Sequence, residues 1–322
     1  MVENTSTSTS KKIGQTRQQK RTIFYVLMFA LPLLQFLLFY IYVNFNSIII
    51  AFQEKIPRLD GLGYDITVTG KNIEKAFSFF FSAECGKMLS NSLLLFIGQI
   101  FIVTPLALLF SYYIAKEKPL SGFFRVMLYL PQVISVVVLG ILFKYVVNEV
   151  YPHIMETYFG QEDVLGLMHA KSTYNSKFFS ALIFTLWFSF GTNVLIYSGS
   201  MSDVDQSIVE AAHLDGVSSW QEFIHIYVPI IFSTITTFVV TGLAGIFNNQ
   251  MSLHTFFGNS GSVDVFGYYF YRITALNLEN VAGGKMMNLH QLAALGLIAT
   301  VILVPITLIT RNLMNKYGPS TD

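Results

Sequence analysis

Ser207-Ile208-Val209-Glu210-Ala211-Ala212-His213-Leu214-Asp215-Gly216, running on through Trp220 and Phe223 to Pro229, is a polar, helix-forming stretch between two strongly apolar runs. Its local signals predict two short helices with a bend between them. Ser207 and Glu210 have the Ser-x-x-Glu spacing of a capping box, in which the hydroxyl accepts a backbone N–H and the carboxylate reaches back. Gly216 can take φ > 0 at low cost, which suits it to end the first helix. Ser218 with Gln221, or Ser219 with Glu222, offers a second box. Pro229 suits the first turn of the apolar helix that follows. Ala211 and Ala212 leave a face with almost no side-chain bulk, flanked by Glu210 and Asp215, so another protein surface can approach closely. An ordinary amphipathic turn between two membrane helices would share these local features.

Composition decides what surrounds that stretch. Of the 322 residues, 53% are hydrophobic and only 12% charged, about half the charge usual in a soluble domain. Mean hydropathy is +0.54. A net charge of +1 gives no basis for nucleic-acid binding, and the single cysteine, Cys85, permits no internal disulfide and no thiolate metal site.

Six apolar runs of near the ~20 residues a bilayer-crossing helix needs can be read along the chain. They are 23–52, 89–115, 126–147, 178–199, 229–247 and 289–309. The first is too long for the apolar core of a secretory signal and lacks an Ala-x-Ala site, so it reads as an uncleaved anchor. Before it, residues 1–21 are Ser/Thr-rich and then basic, the composition of a disordered tail. A turn is expected at Asp60-Gly61-Leu62-Gly63, and a Gly- and aromatic-rich loop at 251–285. Lys and Arg divide evenly between the two faces. The tail and the 116–125 loop carry bases with few acids beside them, which places both termini in the cytoplasm.

No run carries Asp, Glu, Lys or Arg near its middle, as ion-coupled carriers generally do. Nor is there a nucleotide-binding P-loop; Gly283-Gly284-Lys285 lacks the first glycine and the following Ser/Thr. No catalytic residue and no metal site is expected: His213, His225 and His290 are scattered. Trp187, Asn193, Tyr197, Asn248, Asn249 and Gln250 are candidates for lining a pathway, because aromatic faces and amides hold uncharged polyols. The same residues also serve as interhelical hydrogen bonds and interface anchors.

Glu210, Ala211, Ala212, Asp215 and Gly216, followed by Phe223 and Pro229, resemble the EAA loop of permease subunits in binding-protein-dependent ABC importers. Tyr129-Leu130-Pro131, Ile134-Ser135 and Phe143 resemble the third-helix pattern of sugar permeases. Trp187, Gly191, Asn193 and Ile196-Tyr197 resemble the helix entering the loop. Leu31-Pro32, Tyr40 and Ala51-Phe52 are similar to the extra N-terminal span of maltose-type subunits. Departures are Asp205 where Pro often stands, Val217 for Ala, Val228 for Leu, Ser233 for a second Pro, and no Gly-Gly-Pro turn after the fifth span.

The resemblance implies an all-α integral membrane protein with six transmembrane helices and the type I ABC importer permease fold. Tails at 1–21 and 311–322 would flank a permease domain at 22–310, with the coupling loop at 201–229. It further implies a second homologous permease as partner, two cytoplasmic ATPase subunits binding ATP and Mg, and an extracytoplasmic substrate-binding lipoprotein or periplasmic protein. The solute would be a sugar or oligosaccharide. An ion-gradient-driven carrier or channel for a neutral solute is the alternative reading.

Overall fold

The computed structural model describes residues 6–57, 64–258, 260–275 and 287–319. The expected turn at Asp60-Gly61-Leu62-Gly63 and the segment Gly283-Gly284-Lys285 lie outside the described residues. The chain divides into two compact units, Met1–Glu74 and Lys75–Asp322.

In the first unit, the span α1 (Gln19–Ala51) belongs to a helix that begins at Ser6, inside the polar stretch assigned to the tail. Its apolar side chains are bare: Leu31 is 73% exposed and Phe39 71%. Pro32 has no N–H to donate, and a π-helical turn at Phe36–Tyr42 follows it, the usual local adjustment to a broken hydrogen-bond ladder. An antiparallel hairpin of β1 (Gln53–Pro57) and β2 (Tyr64–Val68) follows, in the register Gln53↔Val68 to Pro57↔Tyr64. Buried Asn72 ties the junction, donating to the carbonyls of Ala51 (3.3 Å) and Gln53 (2.7 Å).

The second unit begins within α2 (Lys71–Phe80) and is a bundle around α3 (Ala83–Ala115) and α6 (Tyr174–Ser202). These two are the most buried spans, and Ser111 on α3 donates to the Val194 carbonyl on α6 at 3.0 Å. Between them in sequence come α4 (Ser121–Val133) and α5 (Val136–Phe159). After α6 follow α7 (Gln206–Leu214), α8 (Ser219–Ile230) and α9 (Phe232–Asn248). The unit closes with α10 (Leu253–Phe257), α11 (Phe266–Ala275) and α12 (Leu289–Tyr317). Among the described residues, five helices are long and apolar enough to cross a membrane, or six if α8 and the helix after it count as one bent span.

The third span differs from the expectation of 126–147. The chain breaks at Ile134, which is extended, and Ser135, which leaves the helical region at φ −54° and ψ 128°, and the long helix runs from Val136 to Phe159. Pro131 cannot donate to the helix, and the β-branched run around Ile134 tolerates extended backbone. Ser135 then takes the N-cap position, its carbonyl accepting from Leu139 N–H. Gly160, at φ +63°, ends the helix with its N–H on the Met155 carbonyl. Lys144 and Glu149 therefore lie inside this helix, so the absence of mid-span charge does not hold for it. Lys144 is not free; its Nζ donates to the Phe256 carbonyl at 2.6 Å, capping the end of α10.

Two further expectations shift. The loop expected at 251–285 contains α10 and α11, and the sixth span continues past Ile309 to Tyr317, taking in most of the expected tail. At the end remote from α7, Arg272 donates to Asp264 (2.8 Å), both largely buried. Burial pushes the Asp264 carboxyl up to about 6, with Arg272 pulling it back. Asn91 on α3 donates to the Asp264 carbonyl, fixing this segment to the central pair.

Candidate functional site

The loop between α6 and α9 is a helix–turn–helix, as its caps predict, but a different residue starts it. Asp205 is the N-cap of α7, accepting the Ser207 N–H at 2.9 Å; Ser207 and Glu210 do not form a box. Asp ranks with Ser as an N-cap and adds a negative charge at the positive helix end. The Ser207 backbone and hydroxyl hold the Asp205 carboxyl below its ordinary range. Gly216 sits at φ +75°, and the Val217 N–H closes the helix on the Ala212 carbonyl at 3.1 Å. Of the two possible second boxes, Ser218 with Gln221 forms, with Gln221 Oε1 accepting the Ser218 N–H at 3.0 Å. Glu222 is taken elsewhere, turned inside the bundle and 1% exposed.

One face of this unit is welded to the spans. Val209, Phe223 and Tyr227 are buried in a cluster with Ala107, Leu108 and Met201 from α3 and α6. Phe223 packs on Tyr112 at 5.3 Å. Ala212 faces inward as well, 9% exposed, whereas Ala211 is exposed. The two alanines therefore do not make one docking face, because consecutive helical residues point about 100° apart. What the loop presents is Ile208, Ala211 and Leu214, three apart on one side of α7, with Trp220 exposed on α8 and Glu210 and Asp215 exposed next to them in the chain. Leu214 is 90% exposed and Trp220 60%. Sequence reasoning missed these two apolar knobs, although apolar residues on the polar side of a charged loop were the available signal.

Pro229 also differs from expectation. It lies in the last turn of α8, after a π-helical turn at Phe223–Tyr227, and the fifth span starts at Phe232 beyond a 66° bend. The π turn shifts the ladder just where Pro229 would clash with the i−4 carbonyl.

The second feature is a cleft of about 380 Å³ in the helix bundle. It is lined by polar Gln99, Gln132, Ser189, Thr192, Asn193 and Asn249, with Phe96, Phe188 and Phe238 among them, and none of the described lining residues is charged. Ser189 donates to Gln99 at 2.9 Å, and Gln132 donates to the Phe188 carbonyl. The Asn193 amide nitrogen is buried with no hydrogen-bond partner among the described residues, a costly arrangement for a buried donor.

Of the six pathway candidates, only Asn193 and Asn249 meet here. Asn248 and Gln250 line a separate cleft between α9, α11 and α12, because α9 ends at Asn248 and Asn249 turns into extended backbone. Trp187 is 47% exposed and lines neither cleft; Tyr197 is fully buried against Phe238 at 4.9 Å. The missed residues had a signal, since Thr185, Ser189, Thr192 and Asn193 fall on one helical face.

A bundle of apolar helices around an uncharged polar cleft, with a helix–turn–helix at one end, defines a multi-pass membrane permease. Residues 104–321 match the family described as "Binding-protein-dependent transport system inner membrane component", and the chain belongs to that family. It is 25% identical over 143 residues to the inner membrane ABC transporter permease protein YcjO of Escherichia coli (strain K12), covering 44% of this chain and 45% of that one. It is 25% identical over 139 residues to the maltodextrin transport system permease protein MalC of Streptococcus pneumoniae (strain ATCC BAA-334 / TIGR4), covering 41% and 30%. Over 65 residues it is 37% identical to the lactose transport system permease protein LacF of Rhizobium radiobacter, covering 19% and 22%. The aligned stretch thus spans less than half the length of these curated relatives. In structure, the fold is similar to a chain of a bacterial ABC transporter involved in the import of the acidic polysaccharide alginate. That likeness has a TM-score of 0.69 at 17% identity, over 94% of this chain and 99% of the other.

Proposed function

We propose that this chain is a permease subunit of an ATP-driven importer for a neutral sugar or oligosaccharide, with the loop at 203–231 as its seat for an ATPase. The observation that carries the reading is the loop itself: welded to the spans on one side and exposing Leu214 and Trp220 on the other. Burying one such side chain on a partner contributes about 1.5–3 kcal/mol. Both termini and the loop then face the cytoplasm, where the partner ATPases bind ATP and Mg. A second permease completes the pathway, and an extracytoplasmic binding protein delivers the solute. A related structure is described as an alginate transporter in complex with an alginate-bound periplasmic protein, which supports the last partner.

The uncharged cleft supports a neutral solute. Amides and hydroxyls match the hydroxyls of a sugar, and phenyl rings match its C–H faces. The maltodextrin and lactose relatives agree with this; an acidic polysaccharide would find no cation among the described residues of the cleft. Asn193→Leu keeps the branched shape, at a somewhat larger volume, and removes the buried amide. It is expected to weaken solute binding about 2- to 10-fold, the worth of one hydrogen bond, as measured by uptake against solute concentration.

The class is tested by purifying the tagged chain in mild detergent and identifying by mass what accompanies it. A stoichiometric P-loop ATPase with a second permease is expected. A lone chain or homo-oligomer, with uptake that survives ATP depletion while the ion gradient is held, would put an ion-driven carrier in its place.

A further inference from the structure

Besides the chain that leads into α9 and the apolar packing on α3 and α6, the loop has a polar connection to the spans. Glu222 on α8 is 1% exposed, and three groups converge on its carboxylate. Lys116 Nζ donates to Oε1 at 2.6 Å, the Tyr112 hydroxyl donates to Oε2 at 3.1 Å, and His213 Nε2 on α7 lies 3.7 Å from Oε2. Tyr112 is in the last turn of α3, and Lys116 follows its end, so the carboxylate joins both helices of the loop to α3. Aromatic contacts surround the joint, with Tyr112 5.1 Å from Tyr227 and Lys116 5.8 Å over the same ring.

A buried ion pair is a poor device for stability alone, because desolvating the charges offsets their attraction and a well-packed apolar residue often holds a site as well. It is a good device for direction, since Lys116 holds Oε1 while Tyr112 and His213 meet at Oε2, each at its own distance. We propose that Glu222 is a positioning residue that couples the loop to α3, so that displacement of α8 by the ATPase moves α3 as well as α9. This rests on the coupling role given to the loop above. By chain connection the loop acts on α6 and α9, and the apolar cluster packs it on α3 without fixed polar partners; Glu222 adds a directed grip on α3, whose Gln99 lines the cleft. The helices on both sides of the cleft then move together.

The test uses the intact transporter, purified with its ATPase and reconstituted, with Thr192→Cys as a reporter in the cleft. Cys85, the only cysteine of this chain, is buried, so maleimide labelling read on this chain after separation from its partners reports the introduced thiol. Labelling is measured with and without a non-hydrolysable ATP analogue in the parent, Glu222→Leu, Glu222→Gln, Lys116→Met and the exchange Glu222→Lys with Lys116→Glu. All variants are expected to retain the ATPase. The nucleotide-dependent change in labelling rate is expected to fall roughly 10-fold in the three single variants, within the range that contact-chain mutations produce. The exchange is expected to recover most of it, which a merely structural role does not require. Single variants that respond like the parent, or an exchange no better than Glu222→Leu, overturn the proposal. Should the parent itself bring down no ATPase, the coupling reading fails and this inference with it.

Discussion

Gly216→Val is expected to abolish uptake while leaving the chain inserted in the membrane. The residue sits at φ +75° in the turn between α7 and α8. A Cβ there would meet nothing within 4 Å, so no neighbour is displaced and the whole effect is backbone strain. For an L-residue the left-handed region costs about 1–2 kcal/mol, and a β-branched side chain is worse still. The turn would reopen toward ordinary helix, and α7 with its exposed Ile208, Ala211 and Leu214 would be reoriented against α8, which carries Trp220. A graded series separates this cause from others. Asn, which tolerates φ > 0, should keep most uptake at position 216, Ala less, and Val none. Uptake and ATPase co-purification are measured together; full activity in the Val variant would remove the turn from the mechanism. Glu210→Lys, which reverses an exposed charge without strain, should lose ATPase contact instead, shown by weaker co-purification at moderate salt.

Gly191→Val is expected to have the largest effect on stability. Here α6 crosses α4 so closely that an added Cβ would overlap the Leu128 carbonyl oxygen and come within 3.0 Å of its carbon. The obstacle is backbone, which cannot swing aside as a side chain can. Overpacking of this kind costs about 1–3 kcal/mol or more, and it would part α4 from α6 where Gln132 donates to the Phe188 carbonyl beside the cleft. The variant should unfold at markedly lower temperature in detergent and fail to hold its partners. Gly98→Ala is the control. Its Cβ would meet only the Leu186 side chain, 2.9 Å away, which can change rotamer, so a small loss is expected. Equal losses at both positions would mean that the α4–α6 crossing is looser than it stands here.

Much of the membrane architecture was legible because a bilayer-crossing helix must be apolar over its whole length, a signal read residue by residue. The first, second, fourth and sixth runs therefore reappear with only their ends moved. The third shifted because Pro131 and the non-helical Ile134–Ser135 break it inside an unbroken apolar run, where hydropathy is blind. The loop was legible for a related reason: caps and a left-handed glycine act within a turn or two of the chain. Even there, Asp205 displaced Ser207 as cap, and Glu222 left the second box open for Gln221 because it had a better partner 106 residues away.

The sequence by itself determined the spans, the bent helical loop and the family, since each rests on local composition and short-range hydrogen bonding. Only the tertiary structure decided which polar residues share a cleft. It set Asn193 and Asn249 together with Gln99 and Gln132, placed Asn248 and Gln250 in another cleft, buried Tyr197 and left Trp187 bare. It also turned Ala212 and Glu222 inward. Those outcomes depend on how helices far apart in the chain rotate against one another, and a rotation of one residue, about 100°, is invisible to any count of which residues are polar.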